Sequence, residues 1–332
     1  MGLELAELRL LDALRVAATD VELDVRVVGG RNARRHARRL GARWIPALDH
    51  ALPRLAVARG DVVHLLGLDL PPPRRKPFLA TVHDLAPLVY DDEGVLPPWV
   101  DELVERAALL LTPSAFTADE LARHFDVAPD RIRVIGGAPA LDARHAEPLS
   151  LAELRQLGIE PPFVLRSGGY TSRKNVPLLL EAWSRVSTGT LVLTGPPQAA
   201  RMPILQNAPS LDRVVVFDYV PAALLARLLR TATALVSTST YEGFGLPPLE
   251  ALAAGTPVIA VSAPSVEEVC GEAALLVGND RDTLADALGR LLVDDELAAR
   301  LRAAGARRAA SFTWANAASA TLDAYRTIFG AT

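Results

Sequence analysis

Glu242 and Glu250 are the first residues to question. They stand eight positions apart within Thr-Tyr-Glu-Gly-Phe-Gly-Leu-Pro-Pro-Leu-Glu-Ala-Leu-Ala-Ala-Gly-Thr-Pro, residues 240–257. With 39 acidic residues in the chain, such a pair alone would read as solvated surface groups. Its company raises the signal. Gly243 and Gly245 precede the pair Pro247-Pro248, and an apolar, β-branched run leads in from residue 234. Glycines let a ligand come close to the backbone. Prolines suit a first helical turn, which has no use for their missing N–H groups. Free N–H groups at a helix start attract anions. The stretch offers amides to phosphate or hydroxyl oxygens and two carboxylates to polar ligand groups.

A second constellation is Ser167-Gly168-Gly169-Tyr170-Thr171-Ser172-Arg173-Lys174-Asn175. Glycines at a strand end, followed by adjacent cations, make a seat for phosphate. Arginine supplies a planar fork and lysine a mobile point charge. Lys174 is one of only two lysines, Lys76 being the other, so it stands against the chain's own preference for arginine. The plain alternative is a solvated cation pair before a helix. Neither a Walker loop nor a Gly-x-Gly-x-x-Gly fingerprint after a strand occurs. Third is His83-Asp84 at a strand end, where the histidine can donate to a hydroxyl or oxyanion and the aspartate can orient it or accept from a sugar. A lone histidine is more often a satisfied structural one, and His64 carries a weaker version of the same signal. Asp91-Asp92-Glu93 sits in a turn beside Gly94 with no second ligand cluster, so it makes a poor metal site, and no metal is expected.

The elements that must position these groups alternate. Strands are expected at residues 21–28, 61–66, 78–82, around 111 and at 132–135, then at 163–167, 190–194, 213–217, 234–239, 257–261 and 274–277. Helices are expected at 3–17, 96–110, 177–186, 221–231, 246–254, 265–270 and 281–292, and over the tail, 295–329. A capping box at Thr117–Glu120 opens a further helix to His124. Alternation implies parallel, right-handed βαβ units. Two such halves make an α/β chain of two doubly wound, Rossmann-like domains facing a cleft, with ligands at strand C-termini. Boundaries fall at residues 1–145, a linker at 146–162, a nucleotide-binding half at 163–312 and a last helix at 313–332 packing back on the first domain.

The 332 residues fit two domains, and 50% hydrophobic with 22% charged content supports a large core. A net charge of −4 gives no reason to expect nucleic acid. One cysteine, Cys270, excludes an internal disulfide framework and fits a reducing cytoplasm. Met1-Gly2-Leu3-Glu4 lacks the basic start of a signal peptide. Arg31 to Arg43 holds six arginines and His36 without an acid. It reads as a solvated helix face or, more sharply, as a patch for anionic lipid at the inner membrane face. Amides and cations for a diphosphate, with carboxylates for vicinal hydroxyls, describe a nucleotide-sugar.

Glu242-Gly-Phe-Gly-Leu-Pro-Pro-Leu-Glu250 resembles the Glu-x7-Glu signature of family 4 glycosyltransferases, which have the GT-B fold. Arg173-Lys174-Asn175-Val176, Thr81-Val82-His83-Asp84-Leu85, Ser114-Ala115-Phe116-Thr117 and Phe312-Thr313-Trp314 resemble further landmarks of that family. The resemblance implies metal-independent transfer of a sugar from a nucleoside diphosphate donor, with retention, to a glycan or lipid-linked acceptor. The Arg-Lys-Asn-Val and Leu-Pro-Pro-Leu-Glu variants are similar to those of mannosyltransferases and favour GDP-mannose. Glu250 would hold ribose hydroxyls and Glu242 sugar hydroxyls. Amides of Gly243, Phe244, Gly245 and Leu246 would support sugar and phosphate oxygens. Arg173 and Lys174, with Gly168 and Gly169 before them, would neutralise the departing diphosphate. His83 and Asp84 would lie beside the donor sugar, and Tyr219 at the base-binding edge.

Three departures stand out. The chain begins inside what resembles the family's first helix, implying a shortened first domain without its leading strand and glycine-rich loop. Gly169 stands where many members carry arginine. Asp218 stands where glycine is usual. Two other readings are a non-catalytic, nucleotide-sugar-binding subunit and a nucleotide-sugar epimerase of related fold.

Overall fold

A computed structural model describes residues 2–24, 26–29, 43–46, 62–74 and 77–329. In chain order its first elements are α1 (Gly2–Ala17), β1 (Arg26–Gly29), β2 (Arg43–Pro46), β3 (Val63–Leu65), β4 (Phe78–Thr81), α2 (Val100–Arg106), β5 (Leu109–Thr112), α3 (Ala115–Phe125) and β6 (Ile132–Val134). Then come α4 (Leu151–Gln156), β7 (Phe163–Ser167), α5 (Val176–Trp183), β8 (Thr190–Thr194), α6 (Gln198–Leu205), β9 (Val214–Phe217), α7 (Ala222–Thr231), β10 (Ala234–Ser237), α8 (Leu246–Ala254) and β11 (Val258–Val261). The chain closes with α9 (Pro264–Cys270), β12 (Ala274–Val277), α10 (Arg281–Leu291), α11 (Asp295–Ala309) and α12 (Trp314–Phe329). The arginine run from Arg31 to residue 42 and Lys76 lie outside the described residues.

Two units result. Unit 1 holds Met1–Val89, Gly94–Gly137 and Thr313–Thr332; unit 2 holds Tyr90–Glu93 and Ala138–Phe312. In unit 1, β3-β4-β5-β6 form a parallel sheet, and β1 pairs with β2 in a separate parallel pair. Period-two alternation sends Phe78 and Ala80 to one core and Leu79 to another. The second core also takes Leu10 and Leu14 of α1 and Leu322, Tyr325 and Ile328 of α12, so the last helix belongs to unit 1.

Unit 2 is built on a six-stranded parallel sheet ordered β12-β11-β10-β7-β8-β9. Val164, Leu191, Leu193, Val236 and Ile259 face one core, and Leu165, Val192, Leu235, Val258 and Ala260 the other. Both faces are covered, as a parallel sheet requires. The chain runs outward through β7, β8 and β9, then returns to place β10 on the other side of β7. Strand order therefore reverses between β7 and β10, and ligands gather where it reverses. The loops leaving these two strands carry Gly168–Lys174 and Glu242.

Several boundaries differ from the sequence reading for physical reasons. The helix expected at 96–110 is confined to α2, because Pro97 and Pro98 precede it and residues 109–112 pair in the sheet. The cap of α3 is Ser114, whose hydroxyl accepts from Thr117 N at 3.0 Å, rather than a box opening at Thr117. Helix α6 escaped notice because Pro203 lies inside it and removes a helical donor. Within 146–162, read as a linker with a short helical piece at 149–157, α4 forms with a reciprocal capping box of Ser150 and Glu153, and Leu149, Leu154 and Ile159 enter the core of unit 2. The tail is helical as expected, in two pieces broken at 310–313, the second beginning where the last helix was expected.

Candidate functional site

Helix α8 begins after Gly245, whose φ of +99° favours glycine, and ends at Gly255, φ +74°. Thr256 N returns to Ala251 O at 2.9 Å and closes the last turn. This fixes Glu242 four residues before the helix and Glu250 within it. Both carboxylates are buried, at 8% and 7% exposure. The surface reading of this pair is thereby removed.

Glu242 sits at the centre of a charge cluster. Its Oε1 accepts from Lys174 Nζ at 2.6 Å, and its Oε2 from Arg173 Nη1 at 3.1 Å. Burial alone would push its pKa up. The Lys174 and Arg173 charges outweigh that and hold it below the usual carboxylate range. Burial pulls the Lys174 ammonium down, with Glu242 opposing. The backbone of the cation turn is tied to the loop after β10: Thr240 N donates to Arg173 O at 2.8 Å, and Thr238 Oγ1 to Lys174 O at 2.8 Å. Ser265 Oγ donates to Glu242 O at 2.6 Å. The two loops at the strand reversal thus form one hydrogen-bonded assembly.

Glu250 has a different environment. Burial pushes its pKa up to about 7, opposed by the backbone N–H groups of Leu141 and Ala140. One carboxyl of the pair is held ionised between cations, while the other is poised to carry a proton at neutral pH. Divergent environments of this kind mark functional sites.

The glycines play a mixed part. Gly168 adopts φ +129°, and its N–H is committed to Thr194 O at 3.2 Å. Gly168 O accepts from Arg166 Nη1 at 2.8 Å, and Gly169 O accepts from Arg166 Nη2. Phe244 is buried, its ring edge-on to Phe312 at 5.9 Å, and Leu246 packs against the same core. Any contact Phe244 makes with a ligand therefore falls chiefly to its backbone. Tyr219 is exposed just past β9, beside Asp218, whose Oδ1 accepts from Arg201 Nη1 at 2.6 Å.

His83 and Asp84 belong to unit 1. His83 Nε2 donates to Leu66 O at 2.7 Å and lies 3.3 Å from Glu7 Oε1. Asp84 Oδ1 accepts from Ala86 N at 3.1 Å, two residues on. His64 is a core residue: its ring nitrogens meet Tyr325 Oη and Thr81 Oγ1, each at 2.8 Å, and burial drops its pKa to about 3.

Three residues of the assembly were not expected in it from the sequence: Arg166 was not named, and Asp92 and Glu93 were weighed only as a poor metal site. Arg166 is 3% exposed, its guanidinium 4.7 Å from the Tyr170 ring centroid, with its pKa brought down to about 10 by burial. An arginine inside the apolar run Phe-Val-Leu-Arg-Ser was the available signal. Asp92 and Glu93, from the acidic turn, hold the cation loop. Asp92 accepts from Ser172 N and Ser172 Oγ, each at 2.6 Å. Glu93 Oε1 accepts from Thr171 Oγ1 and Arg173 Nε, each at 2.5 Å.

Comparison with known proteins bears on the family and the fold. The family described as Glycosyltransferase Family 4 matches residues 11–138, and Glycosyl transferases group 1 matches residues 161–294. O-antigen chain mannosyltransferase B of Escherichia coli is 30% identical over 237 residues, 68% of this chain and 62% of its own length. A D-inositol 3-phosphate glycosyltransferase of Frankia alni is 30% identical over 279 residues, 75% of this chain and 68% of its own. The chain thus spans about three fifths of the mannosyltransferase. Sucrose-phosphate synthase from Thermosynechococcus elongatus superposes with a TM-score of 0.75 at 22% identity, covering 98% of this chain and 92% of that one. Anabaena HepE, solved with UDP and glucose, gives 0.76 at 14% identity, covering 98% and 96%. These likenesses establish the GT-B architecture of two Rossmann-like units.

Proposed function

Because this chain belongs to the family 4 glycosyltransferases, the glycosyl transferases of group 1, we propose that it moves a hexose from a nucleoside diphosphate donor to a glycan or glycolipid acceptor, with retention and without a metal. Mannose carried on GDP is the narrowest form of the reading, in line with the O-antigen relative. The observation that carries it is Glu242 bridging Lys174 and Arg173 at 2.6 and 3.1 Å, with Glu250 on the adjoining helix.

Cleavage breaks the bond between the anomeric carbon and the β-phosphate oxygen, and negative charge grows on the departing diphosphate. Arg173 and Lys174 oppose that charge from a buried position, where charge-assisted contacts are strongest. Glu242 holds both cations in place through its two oxygens and takes hydroxyls of the donor sugar. Glu250 takes the ribose hydroxyls. The acceptor hydroxyl attacks from the face the diphosphate leaves, its proton passing to the leaving phosphate oxygen. A double displacement would need a carboxylate at the anomeric carbon, and both candidate glutamates have other work. His83 and Asp84 are assigned to the donor sugar, Gly243 and Gly245 to close backbone approach, and Tyr219 to the base edge. Among the described residues no helix is long and apolar enough to cross a membrane, and no group of three or more His, Cys, Asp or Glu is placed to hold a metal. Contact of the Arg31 to Arg43 run with anionic lipid is part of the proposal.

A screen of UDP-, GDP- and dTDP-sugars by thermal shift, followed by transfer to oligosaccharide or lipid-linked acceptors, tests it. Product with a retained anomeric configuration supports it. A sugar isomer released without acceptor points to an epimerase instead.

A further inference from the structure

The chain from Tyr90 to Glu93 crosses the mouth of the cation loop as a strap. It is the one piece of unit 2 that precedes residue 138. Tyr90 Oη pairs with Thr240 Oγ1 at 2.9 Å, and the Tyr90 ring meets Tyr241 edge-on at 6.0 Å. Asp92 and Glu93 then engage Ser172, Thr171 and Arg173 at 2.5–2.6 Å. With Thr240 N on Arg173 O, the strap closes a ring that joins the loop after β7 to the loop after β10.

The two acids divide the task. Asp92 takes the N–H and hydroxyl of Ser172 and so holds the turn, the Arg173 charge being the weakest of the influences on it. Glu93 takes Arg173 at Nε, the inner nitrogen of the guanidinium. A guanidinium is planar with its donors in a fixed fork. Anchoring Nε and, through Tyr241 O at 3.0 Å and Glu242 at 3.1 Å, Nη1 fixes the plane of the whole group. The side chains are little exposed, 12% for Arg173 and 15% for Glu93. Within this ring an unanchored Arg173 could still reach Glu242, but its plane would swing about that contact.

We infer that Glu93 is a positioning residue, which orients the Arg173 guanidinium toward the anionic group of the ligand, while Asp92 serves only to hold the turn. The inference rests on the donor-site reading above. The opposite possibility is that Glu93 is a resident anion competing with the ligand's phosphates. The two differ in the sign of one measurement.

That measurement is calorimetric titration of GDP, UDP and dTDP into wild type, Glu93→Ala, Glu93→Gln and Asp92→Ala, with urea midpoints alongside. For whichever nucleotide wild type binds, Glu93→Ala should lose tenfold or more in affinity. Glu93→Gln should stay within about twofold, because its amide oxygen still accepts from Nε and Thr171. Asp92→Ala should lower the midpoint and leave affinity within about threefold. Equal or tighter binding by Glu93→Ala overturns the inference in favour of competition. Equal losses in Glu93→Ala and Asp92→Ala, or a Gln variant as weak as Ala, overturn it in favour of scaffolding or bare charge. Wild type binding none of the three nucleotides refutes the donor site itself, a failure seen before any variant is made. If Glu93→Ala does not fold, Thr171→Val, which removes the second donor to the same carboxylate oxygen, should weaken binding at least threefold with the midpoint near wild type; unchanged affinity there overturns the inference.

Discussion

Raising the pH should unload a proton from Glu250 and cost stability that a Glu250→Gln variant does not lose. The carboxyl ordinarily titrates at 4.5, and burial raises it to about 7 in the folded chain. Between those values the unfolded chain has released the proton while the folded chain keeps it, so stability falls as pH rises. The contribution is complete below about 4.5 and gone above about 7. The difference, about 7 less 4.5, is about 2.5 units, or about 3 kcal/mol at 1.36 kcal/mol per unit. Because the group is only 7% exposed, solvent screening removes little of this. The glutamine keeps an acceptor for the Ala140 and Leu141 amides and carries no titrating proton. Urea unfolding of both proteins from pH 4.5 to 8 reads the gap. Wild type should lose about 3 kcal/mol relative to the variant across that range, most of it by pH 7. Parallel profiles would refute the assignment of a raised pKa to Glu250.

Glu242→Ala leaves Lys174 and Arg173 buried without their shared acid, and should cost about 3–5 kcal/mol in urea unfolding; adding Lys174→Met should recover part of the loss. A Cβ on Gly195 would lie 2.6 Å from the Tyr170 ring and 2.7 Å from Gly168 O. Gly195→Ala should therefore lower stability by about 1–3 kcal/mol by thermal melt and weaken nucleotide binding by shifting the loop after β7. Ser114→Ala removes the α3 cap and should cost about 1 kcal/mol by the same melt, with nucleotide binding unchanged. Replacing four arginines between Arg31 and Arg43 should abolish flotation with anionic liposomes, and equal flotation would sink the lipid-contact proposal.

What the sequence made legible was the local chemistry with strong geometric signals. Gly245, Pro247-Pro248 and Gly255 set both ends of α8, because each has a conformational reason to be where it is. Short, nearly continuous apolar runs placed the six strands of unit 2, though not their order. The reversal between β7 and β10, which brings Glu242 to Lys174 across 68 residues, is a tertiary fact without a local signature. Asp92 and Glu93 were opaque for the same reason. An acidic turn looks solvated until Ser172 and Arg173 arrive some 80 positions later. Helix α6 was hidden by Pro203. The Gly168 amide is tied to Thr194, since the pairing of β7 with β8 continues one residue past the strand.

The central claim is that Arg173, Lys174, Glu242 and Glu250 form one seat for a nucleoside diphosphate sugar. Its most direct test is calorimetric titration of the donor selected by the screen into wild type, Lys174→Ala and Glu250→Ala. The expected result is saturable binding by wild type, weakened at least tenfold in each variant. Binding unchanged in both variants would contradict the claim.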